Sequence, residues 1–267
     1  MERDFLNLGI PHINVSVLTG TYNATEADQN IRSNYTLYES QPLTFQPDMT
    51  AINRIYENRT AALGGYLQSW KYFDQYRSDI RALLTFSRNV YMQAYRKIKT
   101  RISGHYNRSS SNSTNHAEGL KFNLPTLVGI HVRRGDITDP GQHEHGHQVA
   151  SEAYLLRVPL RLQAEHRDIL FLVVSNDMEY CRKLYEGLDN YVFMTPMNDR
   201  EPAAVDMAVL SLMDHLVLTV GSFGWWSAYL SDARDVYYFK DWPREGSTMK
   251  NGSRAADYFL PHWKPFI

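Results

Sequence analysis

Cysteine is nearly absent from the sequence. The single Cys181 cannot form an internal disulfide, and a lone thiol usually points to a reducing compartment. Charge of either sign is not in excess: 28 basic side chains face 29 acidic ones, a formal net charge of −1 over 267 residues. No general field draws the chain to nucleic acid or to an anionic membrane, so any anion site must be local. No run of 18 apolar residues occurs, which excludes a spanning helix within these residues. The opening MERDFLNLGIPHI lacks a basic segment followed by an apolar run and is not a signal peptide. Neither GxxxxGK[S/T] nor GxGxxG is present, which argues against ordinary kinases and dehydrogenases.

Apolar material is plentiful. With 43% hydrophobic and 21% charged residues, the chain can build a globular core, and wholesale disorder is excluded. At about 150 residues per domain the length fits one large domain, or one and a piece. Asparagine followed by x-Ser/Thr is also abundant, beginning at Asn14, Asn23, Asn34, Asn58, Asn107, Asn112 and Asn251. The chain's 16 Asn and 34 Ser plus Thr predict roughly two such sites by chance. The excess favours a glycosylated, luminal or secreted chain, against the cysteine reading; a chance surplus in an Asn- and Ser-rich sequence is the alternative. A luminal protein needs a targeting element, so the expectation is that the chain lacks its natural amino terminus or comes from an incomplete gene model.

Residues 1–60 are polar with weak periodicity. Segments 72–86 and 88–102 read as two amphipathic helices, with Tyr76, Ile80, Leu83 and Leu84 on one face of the first and Tyr91, Ala94, Tyr95 and Ile98 on one face of the second; both stripes are taken as helix packing. NRSSSNSTN at 107–115 is a low-complexity polar loop and marks a boundary. Beyond it the character changes. TLVGIHV (126–132), ILFLVVS (169–175), YVFM (191–194), HLVLTVG (215–221) and DVYYF (235–239) are short apolar runs. Helical patterns at about 151–165, 177–187, 202–214 and 223–231 separate them. Buried strands alternating with helices predict a parallel sheet covered on both faces, and such α/β sheets bind ligands beyond the carboxyl ends of their strands.

Chemistry-bearing residues gather at those ends. After TLVGIHV come Arg133, Arg134, Gly135 and Asp136. A guanidinium stays charged and grips phosphate oxygens through a planar fork, Gly135 permits a sharp turn, and His131 projects to the same strand face as Arg133. Anion binding is the favoured reading; a surface salt-bridge cluster and an RGD adhesion tripeptide at 134–136 are the alternatives. Asn176 and Asp177 either cap the following helix or face the ligand. Asp206 opens a helix, where a carboxylate meets the helix dipole favourably; alternatively it accepts from the ring N–H and amino group of a guanine. Ser222, Phe223 and Gly224 open the helix GWWSAYL, whose free N–H groups form an anion site; Trp225 and Trp226 read as core. Together these describe a nucleotide-diphosphate pocket. His143, His145 and His147 in QHEHGHQ lack the i, i+4 geometry of common zinc sites and read as a solvated loop.

HVRRGD after an apolar strand, VVSND in the next unit, DMAVLSLMDHLVLTVGSFGWWSAYL, GGYLQSW at 64–70 and a tail ending FLPHW together resemble the α-1,2-fucosyltransferases, glycosyltransferase family 11. The resemblance covers about residues 64–267. It implies an α/β, two-lobed GT-B-like fold with a Rossmann-like parallel-sheet domain for the nucleotide sugar. It also implies a GDP-β-L-fucose donor, a galactose-terminated glycan acceptor, inversion at the anomeric carbon, no metal and no cofactor besides the co-substrate. A type II Golgi membrane protein is implied for the full-length form, its anchor absent from this chain. By position, Arg133 and Arg134 match the arginines that neutralise the pyrophosphate, His131 the motif histidine, and Asp206 an acidic residue that contacts guanine. Ser222 and Phe223 match the loop against the phosphates, and Asn176 is placed in the same donor pocket.

Arg133 and Asp136 are the catalytic candidates; among Asp136, Asp139 and Glu144 the base assignment leans to Asp136. The family's early Gly-Arg-x-Gly-Asn segment is missing. Residues 1–115 are therefore expected to be a partial acceptor lobe and residues 116–267 the GDP-fucose-binding domain. The alternative function is a truncated, inactive nucleotide-sugar-binding or adhesion protein.

Overall fold

The computed structural model describes residues 36–50, 62–110 and 125–266. Packing divides the chain into a unit of Met1–Leu84 with Gly252–Phe259, and a larger unit of Thr85–Asn251 with Leu260–Ile267. In the smaller unit β1 (Thr36–Tyr38) pairs in parallel with β2 (Ala62–Gly64). Asp257 ties the two stretches of this unit together: its carboxylate accepts from the Phe45 amide at 3.0 Å and the Lys71 ammonium at 2.5 Å, while its carbonyl accepts from the Ser69 hydroxyl at 2.7 Å. Residues 72–86 do not form the single helix expected. Two 3-10 turns precede α1 (Arg77–Leu83), because Tyr72 is held aside by Phe45, ring centroids 5.1 Å apart, and donates to the Thr44 carbonyl at 3.2 Å. Tyr76 and Leu83 are exposed.

The larger unit is the expected α/β domain. Strands β3 (Thr126–Val132), β4 (Ile169–Ser175), β5 (Tyr191–Phe193), β6 (His215–Leu218), β7 (Asp235–Phe239) and β8 (Lys264–Phe266) form one parallel sheet in the order β5-β4-β3-β6-β7-β8. The apolar runs sit as read because buried strands need side chains without polar demands on either face; every residue of β4 except Ser175 is buried. Counted from β3, this order is the 3-2-1-4-5-6 of dinucleotide-binding sheets, in which the order reverses between the first and fourth strands. Here the reversal falls between β3 and β6.

Helix α2 (Arg88–Ser110) packs on β5 and belongs to this unit, so the division lies at Leu84/Thr85 instead of at residue 115. The buried stripe of α2 is the expected one only in part, at Ala94. Ala94 and Lys97 are fully buried, whereas Tyr91 and Tyr95 are exposed, because the inward face carries an ion pair described below. In chain order there follow α3 (Pro140–His145), α4 (Glu152–Glu165), α5 (Met178–Leu184), α6 (Ala203–Ser211) and α7 (Ser222–Tyr229). The Ser151 hydroxyl caps α4 by accepting from the Tyr154 amide at 3.2 Å, and α4 buries Tyr154, Leu155, Val158 and Leu162. Trp225 is buried against Tyr229 and Trp263, ring centroids 5.1 and 5.6 Å away. Among the described residues no helix is long and apolar enough to cross a membrane.

Candidate functional site

The reversal point is laced together by Thr219, immediately beyond β6. Its amide donates to the His131 carbonyl at 3.2 Å, and its hydroxyl accepts from the Arg133 amide at 2.8 Å. The carboxyl ends of β3 and β6 are thereby held at fixed spacing, and the chain leaves β6 through Gly221 to open α7. A Cβ placed on Gly221 would lie 3.9 Å from Arg133 Cγ, so the Arg133 stem runs along this loop. The first N–H groups of α7 have no partner within the helix and carry its positive dipole end. An exposed Ser222 hydroxyl stands beside them. The stem of one arginine and one helix start thus lie side by side at the reversal point.

His131 lies under this arrangement. It is 5% exposed, its ring stacks on Phe223 with centroids 5.5 Å apart, and a Cβ on Gly224 would come within 2.5 Å of its Nδ1. Only glycine at 224 lets α7 approach that closely. Burial, with a smaller contribution from the Arg133 charge, lowers the imidazole to about 4. His131 is therefore neutral at physiological pH, a wall beneath the crevice.

The two arginines diverge. Arg133 pairs with Asp136, with side chains 32% and 62% exposed. An ion pair so wet is worth about 0–1 kcal/mol and gives way to a better anion. Arg134 turns toward α5: its guanidinium lies 3.7 Å from the Tyr180 ring centroid, and its Nε donates to Asp177 at 3.2 Å. Asn176 clamps the backbone of Arg134, accepting from its amide at 2.8 Å and donating to its carbonyl at 3.1 Å. Asp177 caps α5 by accepting from the Tyr180 amide at 3.1 Å. The turn also needs Gly135, whose φ is +63° and whose added Cβ would lie 2.5 Å from Asn176 Nδ2.

Asp206 stands on the first turn of α6 and is not held by the dipole alone. Lys97 from α2, fully buried, donates to it at 2.6 Å and also pairs with Glu201. Glu201 in turn accepts from the Met197 amide at 2.9 Å, and Arg101, one turn along α2, donates to the carbonyls of Thr195 and Pro196 at 2.9 and 3.2 Å. Burial raises the Asp206 carboxyl above its usual range, with Lys97 opposing.

Residues 41–265 match the model of glycosyl transferase family 11. The chain belongs to that family. It is 28% identical over 201 residues to galactoside alpha-(1,2)-fucosyltransferase 1 of Ateles belzebuth, covering 75% of this chain and 51% of that relative. Against the Bos taurus protein of the same name the identity is 28% over 206 residues, covering 75% and 52%. Against galactoside 2-alpha-L-fucosyltransferase SEC1 of Bos taurus it is 29% over 204 residues, covering 75% and 50%. The chain thus spans about half the length of the curated relatives it matches. A crystal structure of POFUT1 in complex with GDP-fucose superposes with a TM-score of 0.42 at 11% identity, covering 70% of this chain and 57% of that one.

In this family 11 glycosyltransferase the expected site residues fall into three groups. His131, Arg133, Asp136, Ser222 and Phe223 meet at the reversal point; Arg134 and Asn176 lie on the β4 side; Asp206 belongs to the buried triad. Thr219 and Lys97 escaped the sequence reading. Lys97 could have been found, since a lysine three residues after Ala94 sits in the inward stripe of an amphipathic helix. QHEHGHQ is not a loop throughout, because Pro140–His145 forms α3. Among the described residues no three His, Cys, Asp or Glu side chains are grouped to hold a metal ion. Asp139 and Glu144, the other base candidates, are exposed. Of the glycosylation sites, Asn107 and Asn251 are exposed; Asn14, Asn23, Asn34, Asn58 and Asn112 lie outside the described residues.

Proposed function

We propose that this chain is the donor-binding part of a galactoside 2-α-L-fucosyltransferase, moving L-fucose from GDP-β-L-fucose to the 2-hydroxyl of a terminal galactose with inversion. The family and the names of its relatives support the reaction. The observation that carries the reading is the Arg133 stem lying beside Gly221, at the start of α7, across the β3/β6 reversal point, which suits a diphosphate. As the fucose C1–oxygen bond breaks, negative charge grows on the leaving GDP. Arg133 and the free N–H groups of α7 neutralise it without a metal ion, each well-placed donor contributing about 2.7–4 kcal/mol. Arriving phosphate takes the guanidinium from Asp136, and the released carboxylate accepts the proton of the attacking hydroxyl. Arg134, Asn176 and Tyr180 hold the loop that presents Arg133, and Asp206 reads the base. Residues of the smaller unit are assigned to acceptor binding. Asn107 and Asn251, exposed within sequons, fit a luminal, Golgi location with a membrane anchor in the full-length form.

The test is transfer of labelled fucose from GDP-fucose to a β-galactoside, with and without EDTA. Arg133→Ala is expected to lower turnover about a hundredfold or more with an unchanged circular-dichroism spectrum, and EDTA is expected to leave wild-type turnover intact. Near-normal transfer by Arg133→Ala would refute the assignment. GDP binding without transfer favours the second reading, a nucleotide-sugar-binding chain without catalysis.

A further inference from the structure

The buried triad Lys97–Glu201–Asp206 is unusual for where its exposure lies. The Lys97 side chain has no exposed surface and Glu201 retains 4%, but Asp206 keeps 23%. Burying an ammonium between two carboxylates is costly, and removing one partner strands charge out of water. Stability alone would be served as well by apolar side chains. The triad nevertheless ends in one carboxylate that reaches the surface at the carboxyl side of the sheet, with Oδ1 occupied by Lys97 at 2.6 Å. Arg101 and Glu201 fix the loop that leads into this carboxylate through the Thr195, Pro196 and Met197 backbone.

We infer that Lys97 is a positioning residue for the nucleotide base, holding Asp206 by one oxygen so that the other meets the donor edge of a purine. This rests on the reading of Asp206 given under Proposed function. Guanine offers a ring N–H and an amino group to a carboxylate, whereas adenine turns a ring lone pair and a C–H to the same place. An ionised, oriented Asp206 therefore favours GDP over ADP. A neutral carboxyl at that position is a weaker acceptor and a poorer discriminator. The charged groups facing Asp206 are Lys97 from α2 and Glu201 from the loop ahead of α6. β3 and α7, which also pack on α6, bring no acidic or basic side chain except His131, which burial keeps neutral. Lys97 is thus the cation that opposes the effect of burial on Asp206.

The experiment is calorimetric titration of the chain with GDP and with ADP across a pH series. Lys97→Met/Glu201→Gln removes one charge of each sign and keeps an acceptor for the Met197 amide, so it is expected to melt near the wild type. Its GDP/ADP preference is expected to fall about tenfold or more toward the acid end of the series, the loss of a hydrogen bond to a charged group. The midpoint of that fall is expected at higher pH than in the wild type, because Lys97 is the group that lowers the Asp206 carboxyl against burial; an unshifted midpoint would overturn the inference. Lys97→Gln/Glu201→Gln retains a neutral donor for the case where methionine does not pack, and carries the same expectation. Glu201→Gln alone is expected to keep the preference; an equal loss there would make the effect one of packing and overturn the inference. Asp206→Asn tests the underlying reading. If it abolishes the preference while the double variants keep theirs, Lys97 has no positioning role and the base reading stands. If Asp206→Asn itself keeps the preference, both fall.

Discussion

His131 shows how one buried group couples the site to stability. Its folded value near 4 lies below the ordinary 6.5, so between these values the unfolded chain binds a proton that the folded chain refuses. Stability from this residue is complete above about pH 6.5 and falls as the pH drops toward 4, by roughly 3 kcal/mol in all. Urea denaturation of the wild type and of His131→Gln at pH 7, 5.5 and 4 measures this as a difference that shrinks with acidity; a constant difference would contradict it. At this scale the sequence was informative where a residue's chemistry clashed with its place. Two arginines at the end of a buried strand are such a clash, and they pointed to the crevice. Their divergence was not legible, because it depends on Tyr180 and Asp177 lying 3.7 and 3.2 Å from Arg134, contacts made across a sheet pairing. Thr219 was illegible for the same reason: a threonine after a strand has no peculiarity until its hydroxyl meets the Arg133 amide.

Among the elements, the long apolar strands were legible almost to the residue. β3, β4 and β7 coincide with their runs, since burial on both faces removes any polar interruption. β1, β2 and β8 have three residues each, too few to show a period, and Pro265 in β8 reads as a break though it is tolerated on an edge strand. Helix α2 misled for a different reason. Periodicity located its apolar stripe on the aromatics, but the packed face is the one whose lysine finds two carboxylates. The consequence is measurable. Ala94 has no exposed surface while Tyr95 is 63% exposed, so Ala94→Leu should destabilise by about 1–3 kcal/mol through overpacking. Tyr95→Ala should stay within about 0.5 kcal/mol of the wild type, as exposed substitutions do. Denaturant midpoints at constant slope decide between this ranking and the reverse, which an aromatic core stripe would give.

For the whole molecule, strand–helix alternation implied a parallel sheet but left its order open, since every crossover can place the next strand on either side. The order locates the reversal between β3 and β6, and only then do Arg133 and the start of α7 at Ser222, 89 positions later in the chain, become parts of one crevice. Such a site is held by the sheet unit, so a diphosphate ligand must bind the folded state and not the unfolded one. GDP at a hundred times its dissociation constant should stabilise that unit by about 2.7 kcal/mol. For a unit of this size that raises its melting temperature by several degrees, about 2–4 °C per kcal/mol. Arg133→Ala should lose most of the rise. Guanosine, which has the base but no phosphates, should give little of it to either protein. A guanosine shift equal to that of GDP would place the binding energy in the base pocket and leave the β3/β6 crevice without its anion.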